Sequence, residues 1–302
     1  MMRRIKYMLV SIFALTIALT SGCDNNKPTE WNTNTISGTI LFKDPQIDYD
    51  PCVSGSRLFF FDPWTTKLTP VGIDGTNARF AGASNKIITS SDKDTLSLFD
   101  ITTGEERAVY KTKNEGDLIY DYSIAFADEN HISVVLNDKS LLLVDIRNST
   151  EKAIAENIGN PIHSWSNSGR TVYFSKSDVA NNNVKNKIMS KDIDTGEEKY
   201  ICDGIAPRVS RDGNILVYST TGLDGKMIVR NLTSGKEWRY ATSANFYCPS
   251  PDGRYVVLLE PWHGAWFYDG YTVNIWDYEK NISQTVLPRY ANGQCCDIDW
   301  ID

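Results

Sequence analysis

Few side chains in this sequence could do chemistry, and their spacing fits none of the common catalytic sets. There are three histidines, His131, His163 and His263, and six cysteines. No C-x-x-C pair and no cysteine–histidine spacing of a metal site occurs, so neither a metal nor a cofactor is expected. His263 stands near Asp269, a pair that acid–base chemistry can use. With no nucleophile or ligand cluster beside it, it reads as a loop residue that forms hydrogen bonds. Carboxylates two apart, such as Asp297 and Asp299, share one face of a strand and imply nothing more. The expectation is a protein that binds and is not an enzyme.

Recognition chemistry is concentrated in one segment, Glu260 to Thr272. It carries Trp262, His263, Trp266, Phe267, Tyr268, Asp269 and Tyr271. Aromatic rings on a loop suit a sugar face, a peptide groove or a protein hot spot. The alternative is that the rings pack on one another as the loop's own small core. Asp48, Tyr49 and Asp50 belong to another long loop and are expected to border the same patch.

The elements that must position these loops emerge from self-similarity. One unit is an apolar strand ending in Asp or Asn, a tight turn often holding Thr-Gly or Ser-Gly, and a second short strand. It occurs as LSLFDITTGEERAVY from 96, LLLVDIRNSTEKAIA from 141, IMSKDIDTGEEKYIC from 188, MIVRNLTSGKEWRYA from 227 and VNIWDYEKNISQTVL from 273, with a degenerate copy from 58. The closing residues are Asp62, Asp100, Asp145, Asp192, Asn231 and Asp277, at intervals of 38, 45, 47, 39 and 46 residues. That period is one four-stranded propeller blade. Upstream lies a strand–turn–strand pattern, WSNSGRTVYF from Trp165, VSRDGNILVY from Val209 and PSPDGRYVVL from Pro249, worn down in the second and third units.

With these motifs the chain resembles the TolB-like propeller repeat, in which a Ser-Pro-Asp-Gly turn joins the two inner strands of a blade. Ser250 to Gly253 matches fully, Ser210 to Gly213 nearly and Ser166 to Gly169 in part. The resemblance implies an all-β six-bladed β-propeller over residues 36–302. It implies no site, because the turn residues are turn formers and propellers host unrelated activities. The alternatives are a glycan-active hydrolase or lyase on the same fold, and a purely structural, degenerate propeller. Against the first, the sialidase-type Ser-x-Asp-x-Gly-x-x-Trp turn is absent.

The last residues, CCDIDWID, stop in what reads as an innermost strand, and the first blade lacks one. Joined to SGTILFK from Ser37, they parallel WSNSGRTVYFSK from Trp165. The C-terminal strand is therefore expected to complete the N-terminal blade and close the ring. Closure brings Cys52 toward Cys295 and Cys296, so a disulfide from Cys52 to one of them is the favoured pairing. Free thiols and a vicinal bond are the alternatives. Cys202 and Cys248 read as buried strand residues.

The N-terminus reads as a targeting segment, with basic Arg3, Arg4 and Lys6, an apolar run to Leu19, and small residues before Cys23. Thr20-Ser-Gly-Cys23 resembles a lipobox, apart from its threonine. That resemblance implies a lipoprotein signal peptide over 1–22, acylation of Cys23, a polar tether over 23–35, and export to a bacterial cell envelope with anchoring to the lipid bilayer. The expected partner is an envelope protein, peptide or glycan. A formal net charge of -7 argues against nucleic acid.

Overall fold

The computed structural model describes residues 36–44, 57–65, 67–74, 76–81, 85–125, 130–166, 168–180, 183–221, 225–240, 246–263, 269–290 and 298–301. Cys23, Asp48, Tyr49, Asp50, Cys52, Trp266, Phe267, Tyr268, Cys295 and Cys296 lie outside them.

The described residues form 24 strands in six four-stranded antiparallel sheets. In chain order β1 (Thr39–Asp44), β2 (Arg57–Asp62) and β3 (Lys67–Asp74) belong to blade one. Blade two is β4 (Thr76–Phe80), β5 (Lys86–Asp92), β6 (Thr95–Asp100) and β7 (Glu106–Lys111). Blade three is β8 (Ile119–Ile124), β9 (His131–Leu136), β10 (Leu141–Asp145) and β11 (Thr150–Ala155). Blade four is β12 (Ile158–Trp165), β13 (Thr171–Ala180), β14 (Asn183–Asp192) and β15 (Glu198–Asp203). Blade five is β16 (Ile205–Val209), β17 (Ile215–Ser219), β18 (Met227–Asn231) and β19 (Glu237–Arg239). Blade six is β20 (Phe246–Pro249), β21 (Tyr255–His263), β22 (Asp269–Asp277) and β23 (Ile282–Tyr290). The last strand, β24 (Ile298–Ile301), pairs with β1 and is the innermost strand of blade one, as the sequence led us to expect.

Each repeated residue has a local task. Asp62, Asp100, Asp145, Asp192 and Asn231 accept, through Oδ1, the backbone N–H groups two and three residues on, at 2.8–3.2 Å. These are Asx turns, which supply the chain reversal between the two outer strands. In the Ser-Pro-Asp-Gly turn the Ser250 hydroxyl donates to Asp252 Oδ1 at 2.5 Å and accepts the Tyr255 N–H at 2.9 Å. Gly253 has φ +70°, and a Cβ there would lie 2.8 Å from Ile215 Cγ1, so conformation and close packing both demand glycine.

The apolar core is divided among the seams. Leu41, Leu58, Phe80 and Ile87 pack between blades one and two, and Ile88, Leu98, Tyr122 and Val134 between two and three. Val135, Leu141, Trp165 and Phe174 fill the next seam, Ile188, Leu216 and Ile228 the fourth, and Val217, Val229, Val256 and Trp276 the fifth. At the closing blade the Trp300 indole donates to the Ser37 carbonyl at 3.1 Å, and Gly38 (φ +98°) lets β1 pass the Ile301 carbonyl. Cys202 and Cys248 are free, buried thiols in β15 and β20.

The segment Glu260 to Thr272, read from the sequence as a loop, is largely an extended hairpin, and blade four carries another. Blade five stops after five residue pairs, Ile215↔Asn231 to Ser219↔Met227. Blade four continues from Thr171↔Asp192 to Ala180↔Asn183, and blade six from Tyr255↔Asp277 to His263↔Asp269. Backbone pairing outside the seams needs no apolar alternation, and this hid both hairpins in the sequence.

Candidate functional site

The aromatic segment begins on a built ladder. Glu260, Trp262 and His263 belong to β21 and Asp269 and Tyr271 to β22, with Trp262↔Gly270 and His263↔Asp269 as the last pairs. Outermost β23 runs alongside and pairs Tyr290 with Tyr271. At the base, buried Asn274 donates through Nδ2 to Glu260 Oε2, and at 3.4 Å to the Thr272 hydroxyl. The blade-six hairpin therefore extends four pairs beyond blade five, about 14 Å at strand rise. The blade-four hairpin extends similarly on the other side of blade five, at the same end of the sheets.

A second constellation, which sequence reasoning missed, lies on the ring axis. The six innermost strands each contribute one residue at the same position, just before the apolar residue that precedes the turn. In blade order these are Asp299, Arg79, Ser123, Ser164, Arg208 and Cys248. Asp299 Oδ2 accepts the Phe80 N–H of blade two at 2.8 Å, and Ser164 Oγ the Val209 N–H of blade five at 3.0 Å. At these seams the side chain of one blade therefore satisfies a buried backbone donor of the next.

Beside this belt Asp121 Oδ1 lies 3.3 Å from Arg79 Nη2, and its Oδ2 lies 3.1 Å from His163 Nδ1. His163 Nδ1 is also 3.0 Å from the Pro161 carbonyl, and Nε2 is 2.6 Å from Ser133 Oγ. Both neighbours of Nδ1 are acceptors, so that nitrogen carries a proton, and the Ser133 hydroxyl also faces the Ser123 carbonyl at 3.3 Å. The Trp165 indole donates to Ser133 Oγ at 2.7 Å. Burial pushes the Asp121 carboxyl up, but the His163 hydrogen bond and the charges of Arg79 and Arg208 outweigh it and hold the group below its usual value. The connectivity Asp121–His163–Ser133 is that of an acyl-transfer triad, yet Ser133 and His163 are 0% exposed and do not line the axial cavity. A nucleophile so enclosed has no room for a substrate, and the trio acts as a buried polar network. Among the described residues, no group of three His, Cys, Asp or Glu side chains could hold a metal ion.

The ring of six four-stranded blades, the Ser-Pro-Asp-Gly turn and the C-terminal closing strand define a TolB-like six-bladed β-propeller. A protein assigned as TolB from Agrobacterium tumefaciens superposes with a TM-score of 0.61 at 13% identity, covering 88% of this chain and 98% of that one. TolB from Acinetobacter baumannii gives 0.51 at 16% identity over 88% and 75% of the two chains. An oligogalacturonate lyase in complex with manganese gives 0.54 at 14% identity over 78% and 71%. At such identities the likeness is one of fold. No protein-family model and no curated protein matches the sequence.

Proposed function

We propose that the chain is a lipid-tethered envelope protein whose propeller binds a partner protein, peptide or glycan without transforming it. The observation that supports this best is the blade-six hairpin. A segment rich in Trp, Tyr and His is held on a paired ladder beyond the neighbouring blade, where aromatic side chains bind at low entropic cost. Asp48, Tyr49 and Asp50 of blade one border this face in the proposal, and Trp266, Phe267 and Tyr268 supply its tip. The tether rests on the Cys23 motif. Palmitate labelling in cells is expected to mark the chain and to vanish in Cys23→Ala.

The decisive experiment is a cross-linking pull-down comparing the lipidated protein with a variant carrying alanine at Trp262, Trp266 and Tyr268. Loss of a captured partner from a variant that melts normally is the expected result. A partner list unchanged by the three substitutions would overturn the assignment of this face.

A further inference from the structure

Trp64 is the one tryptophan among the described residues that leaves much of its ring in solvent, at 47% exposed. It stands two residues after Asp62, in the turn between β2 and β3 of blade one. The same position in the other blades holds Thr102, Arg147, Asp194, Thr233 and Glu279, all polar. The turn itself does not demand an indole. Asp62 Oδ1 accepts the Trp64 N–H at 2.8 Å, as Asp100, Asp145, Asp192 and Asn231 accept the N–H of their polar counterparts. Those bonds run to the backbone and are indifferent to the side chain that follows. A lone exposed apolar residue is ordinary on a protein surface, so the weight of the argument falls on where this one sits.

Trp64 shares its blade and its end of the sheet with the point where the chain enters the propeller. Thr39 of β1 lies opposite Ile301, and Ile40 pairs with Phe61, so the residues after Asp62 and those before Thr39 emerge at the same turn end. Ile36 is buried there and the Ser37 carbonyl accepts the Trp300 indole, which fixes the entry point. It is about two strand spacings, roughly 10 Å, from the turn that carries Trp64. Cys23 precedes Ile36 by only 13 residues, which span at most about 45 Å. An acyl chain on Cys23 therefore holds this end of blade one close to the bilayer. The aromatic ladder of blade six ends at His263↔Asp269, at the opposite end of its sheet.

We propose that the turn end of blade one rests on the bilayer that holds Cys23, with the Trp64 indole in the interfacial layer, so that the blade-six hairpin points away from the membrane. This inference rests on the lipid tether proposed above. An indole suits the lipid headgroup level, where its ring leaves water while its N–H keeps a hydrogen bond. Exposed Lys67 stands beside it, and its stem and ammonium suit the same boundary. The acyl chains supply the anchoring and Trp64 supplies the orientation, because a tether alone leaves the propeller free to turn any face to the lipid. With Trp64 seated, a partner approaches the aromatic hairpin from the side away from the bilayer.

Tryptophan fluorescence of the full-length protein on phosphatidylcholine vesicles with brominated acyl chains tests this, in a Trp31→Phe background that removes the indole nearest the anchor. Mass spectrometry first reads acylation of Cys23, and flotation reads vesicle binding. Brominated lipid is expected to quench the emission of the bound protein. Trp64→Thr, which installs the residue that blades two and five carry at this place, is expected to melt and float like its parent and to lose most of the quenching. Trp262→Phe with Trp266→Phe is expected to leave the quenching unchanged. Absence of acylation overturns the tether and this inference together. An acylated protein that floats but is not quenched, or whose quenching survives in Trp64→Thr, overturns the orientation and leaves the tether standing. Quenching that disappears with the two hairpin substitutions instead puts the hairpin against the lipid and overturns the inference in the same way.

Discussion

Asp299 joins two blades through one side chain. Its Oδ2 takes the Phe80 N–H across the seam while Oδ1 takes the N–H of Trp300 in its own strand. Asp299→Ala leaves the Phe80 donor buried with nothing to accept it, a loss of about 1–3 kcal/mol that urea unfolding will show. Asp299→Asn keeps one acceptor oxygen in the same shape and should recover much of that loss. Asp121 carries the pH dependence of the axis. Its folded-state pKa is depressed, so its stabilisation is complete above the unfolded value of about 3.9 and is lost as pH falls through the folded value. The melting temperature should therefore drop with acid below roughly pH 4. Asp121→Asn should flatten that limb and, by removing one of the charges that faces buried Arg79, destabilise the protein by about 1–3 kcal/mol at pH 7. Melting curves of both proteins from pH 3 to 7 decide this.

Among the elements, β24 has the largest consequence for its length. Its four residues are all buried, pair with β1 across Thr39↔Ile301 to Phe42↔Ile298, and contact blade six on one side and blade two on the other. Removing residues 295–302 exposes the inner edge of β1 and two seams, and an edge of this kind invites association. The truncated chain should melt well below the full one and self-associate on gel filtration, and an unchanged melting temperature would refute the closing role. This element was legible in the sequence because Trp300 and Trp165 occupy matching places before a turn and both are core. The Asx residues and the Ser-Pro-Asp-Gly turns were legible for the same reason, since local hydrogen bonding fixes residue type at fixed spacing. The axial belt was not. Arg79 stands in a worn repeat and pairs with Asp121, 42 residues away, and His163 carries no spacing cue to Ser133. A position defined by six strands meeting on an axis leaves no local signature. The projecting hairpins were missed for the converse reason, because their pairing is backbone-driven and lies beyond the buried alternation.

At the scale of the molecule, the propeller separates two chemistries along its strands. One end bears extended hairpins, aromatic at blade six and rich in Asn and Lys at blade four, while the other carries tight turns over an arginine-lined axial cavity. The innermost strands between them are four to eight residues long, so roughly 13–27 Å of rigid, paired backbone separates the two ends. Substitutions that far apart and without shared partners are additive unless a two-state element links them, and the seams are filled by packed apolar side chains in one arrangement. The hairpin face and the axial belt should therefore be thermodynamically independent. The triple alanine change at Trp262, Trp266 and Tyr268 should remove partner capture yet leave the destabilisation caused by Asp299→Ala unchanged. Asp299→Ala should in turn leave capture intact, and the combined variant should show the sum of the two. A partner whose affinity changes in folded Asp299→Asn would break that independence. It would mean that the ring transmits a charge event at its axis to the hairpins, with the belt of Asp299, Ser164 and their cross-seam donors as the first place to look for a second arrangement.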